Sequence, residues 1–389
     1  MNVGIEQPIT KNKPSRAGGF LLYGLSLLLI ANSLTYHNSR IGKIILILTG
    51  VLIFITTVIV LLQRGSFNKK YLLGVFGILV GGINTIINGS GFGSILTYAN
   101  LIMLLLYFSL FSVTPRQKDN MFNLIIISIL IVLITYSNQN EINTLYYSII
   151  PGNTDQSINP NTVGILYFFL FIYAIFKINK MPFSLPLRCF VKIVIFGIIL
   201  YLSLDTGART SVMAMCLFFL ADFFNFIPPK YNSNTLKSLY VFGLIVTLVF
   251  TFFYMYLHQV TDGTFEIFGK NLFTGREVVW QEAYDILKDN WLFGYDNSYA
   301  FFNGRVQSAH NSLLGIWFVL GIIPLICCIK HLSDGVLSVA KSSNSRTTMI
   351  ALFACLFIMT FETLLSDDDL YIFFALLFVL SNEERGYDT

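Results

Sequence analysis

Long apolar runs constrain this chain more than any other feature, because they recur at a length suited to crossing a bilayer. A transmembrane helix needs about 20 predominantly apolar residues. The runs of suitable length lie near residues 18–36, 41–62, 71–88, 93–113, 120–137, 161–178, 190–205, 210–227, 238–257, 311–330, 347–365 and 369–382. Charged residues make up only 12% of the chain, against about 25% in soluble domains. The sequence therefore predicts an all-α, polytopic membrane protein with about 12 transmembrane helices.

The distribution of lysine and arginine predicts the orientation of these spans, because cytoplasmic loops carry an excess of both residues. With both chain ends placed inside, most of the 25 lysines and arginines fall on the inner segments. The remaining outer residues include Arg209 and Arg276. The polar N-terminal stretch runs into a full-length apolar run without an obvious cleavage site, so we expect an uncleaved first span rather than a signal peptide.

The chain 1–389 shows no tandem repeat and is predicted to form a single membrane domain. Its longest polar segment, 258–310, is predicted to be a large extracytoplasmic loop between spans 9 and 10. A loop of that length is expected to have structure of its own. The outer segment 138–160 is a second long loop and contains no lysine or arginine.

A helix is predicted inside the large loop. Thr274 and Glu277 have the spacing of a capping box, and residues 278–290 have the pattern of an amphipathic helix lying along the membrane surface. Trp280 and Trp291 suit the lipid headgroup level. Gly294 is expected to help terminate the helix.

Three residues that are predicted to lie on the outer face suggest a site that binds or transforms a substrate. Arg209, Arg276 and His310 would provide two guanidinium groups and an imidazole, which suit an anionic, phosphate-bearing substrate. Arg276, in the first turn of the loop helix, would also use the positive end of the helix dipole. A structural explanation remains open for each: interfacial snorkelling for Arg209, pairing with an acid or a headgroup for Arg276, and a satisfied interfacial imidazole for His310.

Three polar residues near this face are further candidates. Glu362 lies near the outer end of its span, where a carboxylate is costly unless paired or wet, and it could orient His310 or balance an arginine. Asp205 could orient Arg209 or only neutralise it. Asn311 could contact a substrate or only cap a helix.

Other functional classes receive little support. The five cysteines form no Cys-x-x-Cys pair or Cys/His cluster, so neither a disulfide framework nor a zinc site is predicted. No dense basic patch with interleaved aromatic residues indicates a nucleic-acid partner.

Four short patterns, taken in order, resemble a known family. They are Ile158-Asn159-Pro160-Asn161, Thr206-Gly207-Ala208-Arg209-Thr210, Gly275-Arg276 followed by Trp280 and Gly294, and Ala309-His310-Asn311-Ser312-Leu313. Their order and spacing over roughly residues 155–325 resemble the superfamily of O-antigen ligases and O-antigen (Wzy-like) polymerases, which are bacterial integral-membrane glycosyltransferases. Two departures are Ala208, where serine is commoner, and Tyr295, which interrupts the usual Gly-x-Gly.

The resemblance implies a GT-C-like fold in the bacterial cytoplasmic membrane, with the site on the extracytoplasmic side. It implies donor and acceptor oligosaccharides on undecaprenyl pyrophosphate and an inverting transfer that needs neither metal nor cofactor. Arg209 and Arg276 would bind the pyrophosphate. His310 would accept a proton from the attacking hydroxyl or hold a phosphate oxygen. The candidate substrate-binding residues are Asn161, Asp205, Trp280, Asn311 and Glu362.

The expected activity is polymerisation of lipid-linked repeat units into O-antigen or capsule. The alternative is a ligase that moves the glycan to lipid A core or to protein, although we see no long soluble C-terminal domain of the kind expected for protein glycosylation. A transporter or flippase is less favoured, since it predicts ionisable residues in mid-span and an internal repeat. Membrane lipid, a chain-length regulator and a separate flippase are further candidate partners.

Overall fold

The structure is a computed structural model. It describes residues 24, 27–28, 39–64, 69–91, 93–110, 114–138, 159–227, 231–264, 266–267, 270–271, 273, 275–296, 298–304, 306, 308–342, 345–365 and 370–380. Most of the predicted first span, 18–36, and most of the loop 138–160 lie outside these residues, so the structure leaves both predictions untested.

Helices dominate the described chain. The first eight described in full are α1 (Ser39–Arg64), α2 (Lys69–Ile87), α3 (Gly93–Leu110), α4 (Pro115–Ser137), α5 (Pro160–Lys180), α6 (Leu185–Asp205), α7 (Arg209–Phe223) and α8 (Ser233–Val260). The later elements are β1 (Glu266–Ile267), β2 (Lys270–Asn271), α9 (Arg276–Asn290), α10 (Phe301–Gly304), α11 (Ser312–Leu320), α12 (Ile322–Ala340), α13 (Arg346–Phe361) and α14 (Leu370–Leu380). From 41–62 onward every predicted span but one matches a single helix, which confirms the all-α polytopic fold.

Not all of these helices are long enough to cross a bilayer by themselves. By length and composition, five described helices qualify: Arg116–Ser137, Pro160–Lys180, Leu185–Asp205, Ser233–Val260 and Ile322–Ala340. Several other apolar helices are shorter, for example the 11 residues of α14. The described side chains of α14 are buried among other helices, with Tyr371 and Phe374 fully enclosed. The count of twelve crossings stays a prediction.

The span predicted at 311–330 is wrong as a single helix, because the chain breaks between α11 and α12 at Gly321. Gly321 has φ +90°, and a Cβ there would lie 2.2 Å from the carbonyl oxygen of Leu292. Pro324 has no N–H, so a continuous helix would leave the Leu320 carbonyl without its partner. Asn84 of α2 donates its Nδ2 to that carbonyl at 2.6 Å instead.

The polar segment rests on the end of α8. This helix has 28 residues and is therefore about 42 Å long at 1.5 Å per residue, which exceeds the hydrocarbon thickness of about 30 Å. Its last turns contribute Tyr254 and Met255 to a small apolar core with Trp280 and Leu287 of α9. The segment also contains an unpredicted antiparallel hairpin of β1 and β2.

Candidate functional site

Four predicted site residues line one cleft of about 430 Å³, although they are distant in sequence. They are Asn161 of α5, Arg209 of α7, Arg276 of α9 and His310, which precedes α11. We call this the arginine cleft. The two guanidinium groups and the imidazole singled out in the sequence are thus brought together, while their chemical roles stay predictions.

The N-termini of several helices meet at the cleft. Asn161 lies in the first turn of α5, and Arg209 and Arg276 are the first residues of α7 and α9. The first backbone N–H groups of a helix lack intrahelical partners, and the helix dipole makes that end partly positive. These ends therefore favour an anion in the cleft, in addition to the charge of the side chains.

Left-handed residues shape the turns that precede α7, α9 and α11. Gly207, Gly275 and His310 have φ values of +72°, +87° and +45°. Glycine adopts this region freely, whereas histidine does so at a cost and is found there mainly at constrained sites. A tight turn forms at Gly207, where the N–H of Arg209 donates to the Gly207 carbonyl at 3.0 Å.

The turn before Arg209 packs closely on α5. Ala208 is buried, and a Cβ added at Gly164 of α5 would lie 2.3 Å from the Cβ of Ala208. Gly164 therefore permits the approach that brings the start of α7 beside the start of α5. Thr210, which also lines the cleft, was not singled out in the sequence, although its position next to Arg209 in the same short pattern could have indicated it.

Glu362 connects Arg276 to His310. Its Oε1 lies 2.5 Å from Nη2 of Arg276, and its Oε2 lies 3.7 Å from Nδ1 of His310. The Arg276 guanidinium also lies over the ring of Phe361, 5.8 Å from the centroid. The prediction that Glu362 could balance an arginine or orient His310 therefore has a structural basis in both contacts.

The backbone on both sides of His310 is anchored. The indole N–H of Trp280 donates to the Ala309 carbonyl at 2.7 Å. The hydroxyl of Ser312 donates to the Glu362 carbonyl at 2.7 Å. These bonds fix the left-handed backbone of His310 and so hold its imidazole at the edge of the cleft.

Both polar atoms of the Asn311 side chain form hydrogen bonds within the protein. Its Oδ1 accepts from the N–H groups of Leu313 and Leu314 at 3.0 and 2.9 Å, which confirms the predicted helix cap. Its Nδ2 donates to the carbonyls of Thr247 and Thr360, each at 3.1 Å. The side chain is completely buried, so direct contact between Asn311 and a substrate has no geometric support.

Two details of the loop helix differ from the predictions. Trp280 is completely buried inside the protein, so its ring does not contact lipid headgroups, whereas Trp291 is 53% exposed. The helix begins at Arg276 with Gly275 as N-cap rather than Thr274, which lies outside the described residues. One hydrogen bond of the capping-box type is present, because Glu277 Oε1 accepts from the N–H of the N-cap residue Gly275 at 3.0 Å. Gly294 does follow the helix, with its N–H donating to the Asn290 carbonyl at 2.8 Å.

Asp205 is exposed at the end of α6 and does not line the cleft. Within the described ranges it forms no ion pair with Arg209. Arg209 is itself exposed. The suggestion that Asp205 orients Arg209 therefore rests on sequence proximity alone.

The charges of the described side chains at the cleft do not cancel. Arg209 and Arg276 contribute two positive charges, whereas Glu362, which pairs with Arg276 without lining the cleft, contributes one negative charge. A surplus of forked donors beside helix N-termini suits a ligand with several anionic oxygens, such as a diphosphate. Fold and cleft together define the class: a multi-pass helical membrane protein with a cationic cleft.

Comparison with known proteins finds one family that part of the chain resembles. Residues 191–329 match the model of the O-antigen ligase family, a stretch that contains Arg209, Arg276 and His310 but neither Asn161 nor Glu362. The predicted resemblance to O-antigen ligases and polymerases is confirmed over these residues, and it supports a membrane glycosyltransferase. No curated protein matches the chain.

Proposed function

We propose that this chain polymerises oligosaccharide repeat units, carried on undecaprenyl pyrophosphate, into O-antigen or capsule. The reaction would be inverting and metal-independent and would take place on the outer face of the bacterial cytoplasmic membrane. One observation carries the proposal: Arg209 and Arg276 line one cleft with His310, at helix N-termini, with surplus positive charge. That arrangement suits the diphosphate of a lipid-linked donor.

In the proposed reaction, an acceptor sugar hydroxyl attacks the anomeric carbon of the donor glycan. A new glycosidic bond forms while the bond from carbon to the diphosphate oxygen breaks, and the lipid diphosphate leaves with the electron pair. Arg209 and Arg276 stabilise the charge that develops on it. His310 accepts the hydroxyl proton or holds a phosphate oxygen.

The remaining candidates divide by their contacts. Asn161 lines the cleft and is proposed to bind the substrate directly. Glu362, Trp280 and Asn311 contact Arg276, Ala309 and the start of α11 respectively, so we assign them positioning roles. Asp205 remains a candidate for substrate contact at the exposed rim beside Arg209.

A ligase that transfers the finished glycan to lipid A core or protein is the second candidate. It is favoured by the description of the matched family, O-antigen ligase. The two activities use the same donor chemistry and differ in the acceptor. A chain-length regulator and a flippase remain candidate partners of the polymerase.

Analysis of glycans from cells lacking this chain tests the proposal. A polymerase predicts accumulation of single lipid-linked repeat units, whereas a ligase predicts long polymer that is not attached to its acceptor. Restoring the chain with Arg209→Ala, Arg276→Ala or His310→Ala should not restore polymer, although each variant should insert in the membrane normally. Wild-type polymer from all three variants would rule out the catalytic assignment.

A further inference from the structure

A second, larger cavity lies along α9 on a different face from the arginine cleft. It has a volume of about 800 Å³ and lies between α9 and the end of α8. Four of its lining residues are acidic: Glu277, Glu282, Asp285 and Asp289. We call it the acidic groove.

The electrostatic character of the groove is opposite to that of the cleft. No lysine or arginine is among its lining residues in the part of the chain that the structure describes. His258 does line it, with Nε2 3.8 Å from Glu277 Oε1, and Lys288, outside the lining, pairs with Asp285. Hydrogen bonds from Lys288 and Gln281 lower the pKa of Asp285, so that carboxylate stays charged at neutral pH. An anionic ligand is therefore disfavoured, whereas neutral or amine-bearing ligands are not.

One carboxylate oxygen in the groove lacks a partner. The Glu277 side chain is 6% exposed, and its Oε1 accepts from the Gly275 N–H at 3.0 Å. Its Oε2 is buried and has no hydrogen-bond partner among the described residues. Leaving such an acceptor unsatisfied costs about 1–3 kcal/mol or more for a charged group. Glu277 lines the groove, so a small rotation of its carboxylate would bring this oxygen within reach of a donor group on a ligand there.

The other polar groups in the groove suit a ligand rich in hydroxyl groups. Gln259, Gln281 and Asn290 add amides, which both donate and accept hydrogen bonds. The hydroxyl of Tyr299 donates to Glu282, which raises the pKa of Tyr299 to about 12 and fixes that carboxylate. No group of three or more His, Cys, Asp or Glu in the described ranges is arranged to hold a metal ion. Mixed amides and carboxylates around an open cavity are suited to sugar hydroxyls.

We infer that the acidic groove binds the sugar chain of the acceptor substrate, and that this sugar chain is uncharged or carries amino groups. The inference rests on the proposed glycosyl transfer and adds a second subsite to it. Arg276 and Glu277 are consecutive residues that line different cavities, so the first turn of α9 lies between diphosphate and acceptor. The free Oε2 of Glu277 would accept a hydrogen bond from an acceptor hydroxyl or amine.

The first test measures transfer from a purified lipid-linked repeat unit to the phosphate-free oligosaccharide of the same repeat, which has no leaving group and can act only as acceptor, so that the two concentrations are varied separately. Glu277→Gln removes the charge but keeps an oxygen that can accept from Gly275. Asp289→Asn is a second variant at an exposed position, where the fold is not at risk. Each should raise the KM for acceptor about tenfold, as expected for loss of a charged hydrogen bond, and leave the KM for donor unchanged.

Asp262→Asn is the matched control. Asp262 is an exposed acid in the same polar segment, outside the groove, and asparagine tolerates its left-handed backbone. This change should alter neither KM. An unchanged acceptor KM in both groove variants, or a rise in the donor KM instead, would overturn the inference while leaving the proposed function in place.

The second test does not depend on transfer. The probe is the phosphate-free oligosaccharide released by mild acid from lipid-linked glycans of the host membrane, measured by saturation-transfer NMR against the full chain in nanodiscs. Wild type and Arg209→Ala should both bind the probe. The Glu277→Gln/Asp289→Asn double variant should bind it at least tenfold more weakly than wild type. Wild type should bind a carboxymethylated version of the probe at least tenfold more weakly than the unmodified one. Binding without any transfer from a lipid diphosphate would refute the proposed function alone. No binding by wild type would refute the groove assignment.

Discussion

The two ends of α7 hold two polar clusters of different character. At its start, Arg209 faces an open cleft with no ion pair among the described residues. Near its other end, Asp222 is buried and accepts from Lys192 of α6 at 2.6 Å, from Asn179 of α5 at 3.3 Å and from Thr347 of α13 at 3.4 Å. The first cluster keeps surplus positive charge, whereas in the second Lys192 and Asp222 cancel.

This difference in charge balance distinguishes a cluster that can bind a ligand from a cluster that only stabilises the fold. The Asp222 cluster uses both carboxylate oxygens and joins four helices, so it leaves no group for a ligand. The arginine cleft has left-handed residues, helix N-termini and a lone carboxylate against two guanidinium groups. Unbalanced charge beside open space, rather than the presence of charge near a membrane, is what indicates a ligand.

The largest effect on stability is expected from Asp222→Ala. The change leaves Lys192 buried without its partner, which costs about 3–5 kcal/mol in typical buried pairs. Thermal unfolding in detergent should show a strongly lowered midpoint, while the activity of the protein that remains folded should be normal. Replacing both partners, as Lys192→Met with Asp222→Leu, should recover most of the loss. A stable but inactive Asp222→Ala protein would contradict the division between the two clusters.

Arg209→Ala should give the opposite result. Because the side chain is exposed at the cleft, the unfolding midpoint should stay unchanged. The rate of glycosyl transfer should fall about 10²–10³-fold, as for loss of one donor to a developing anion. The matched control is Arg116→Ala, which removes an exposed arginine from the first turn of α4, outside the cleft. Equal losses in both variants would point to a general effect of charge.

The sequence was sufficient to predict the class of fold and four of the residues that line the cleft. Apolar runs of bilayer length are a local signal, so the helix positions followed directly from them. Arg209, Arg276 and His310 could be singled out because charged and titratable side chains are rare in so apolar a chain. Their meeting in one cleft depends on helix packing, for example on the contact of Gly164 with Ala208, which no single segment encodes.

The errors arose where a long-range partner decides the structure. Gly321 and Pro324 are local signals for the break, but the partner that satisfies the Leu320 carbonyl, Asn84, lies 236 residues earlier. Trp280 was expected at the headgroup level because tryptophan is enriched at membrane interfaces. It is buried because α8 extends far enough to pack against it.

Arg276→Lys should have an intermediate effect on transfer. The guanidinium fork can donate to Glu362 and still present N–H groups to a diphosphate, whereas an ammonium group is a point charge. We expect about a tenfold to hundredfold loss in the transfer rate, in the range of one charged hydrogen bond. Arg209 has no such carboxylate partner among the described residues, so Arg209→Lys should lower the transfer rate less in the same assay. A greater loss in Arg209→Lys would argue against a shared role of Arg276 and Glu362.

The smallest effect is expected from Trp280→Phe, which tests whether the backbone before His310 must be held. Phenylalanine keeps most of the buried aromatic volume but loses the indole N–H that donates to Ala309. Loss of one such bond costs about 0.5–1.5 kcal/mol, so transfer should fall about threefold to tenfold. Trp291→Phe is the matched control, because Trp291 is 53% exposed and the bond it accepts from Trp317 uses only its backbone carbonyl. Kinetics with both purified variants should show a loss in Trp280→Phe only. Equal rates would mean that Asn311 and Ser312 hold His310 without help from the indole.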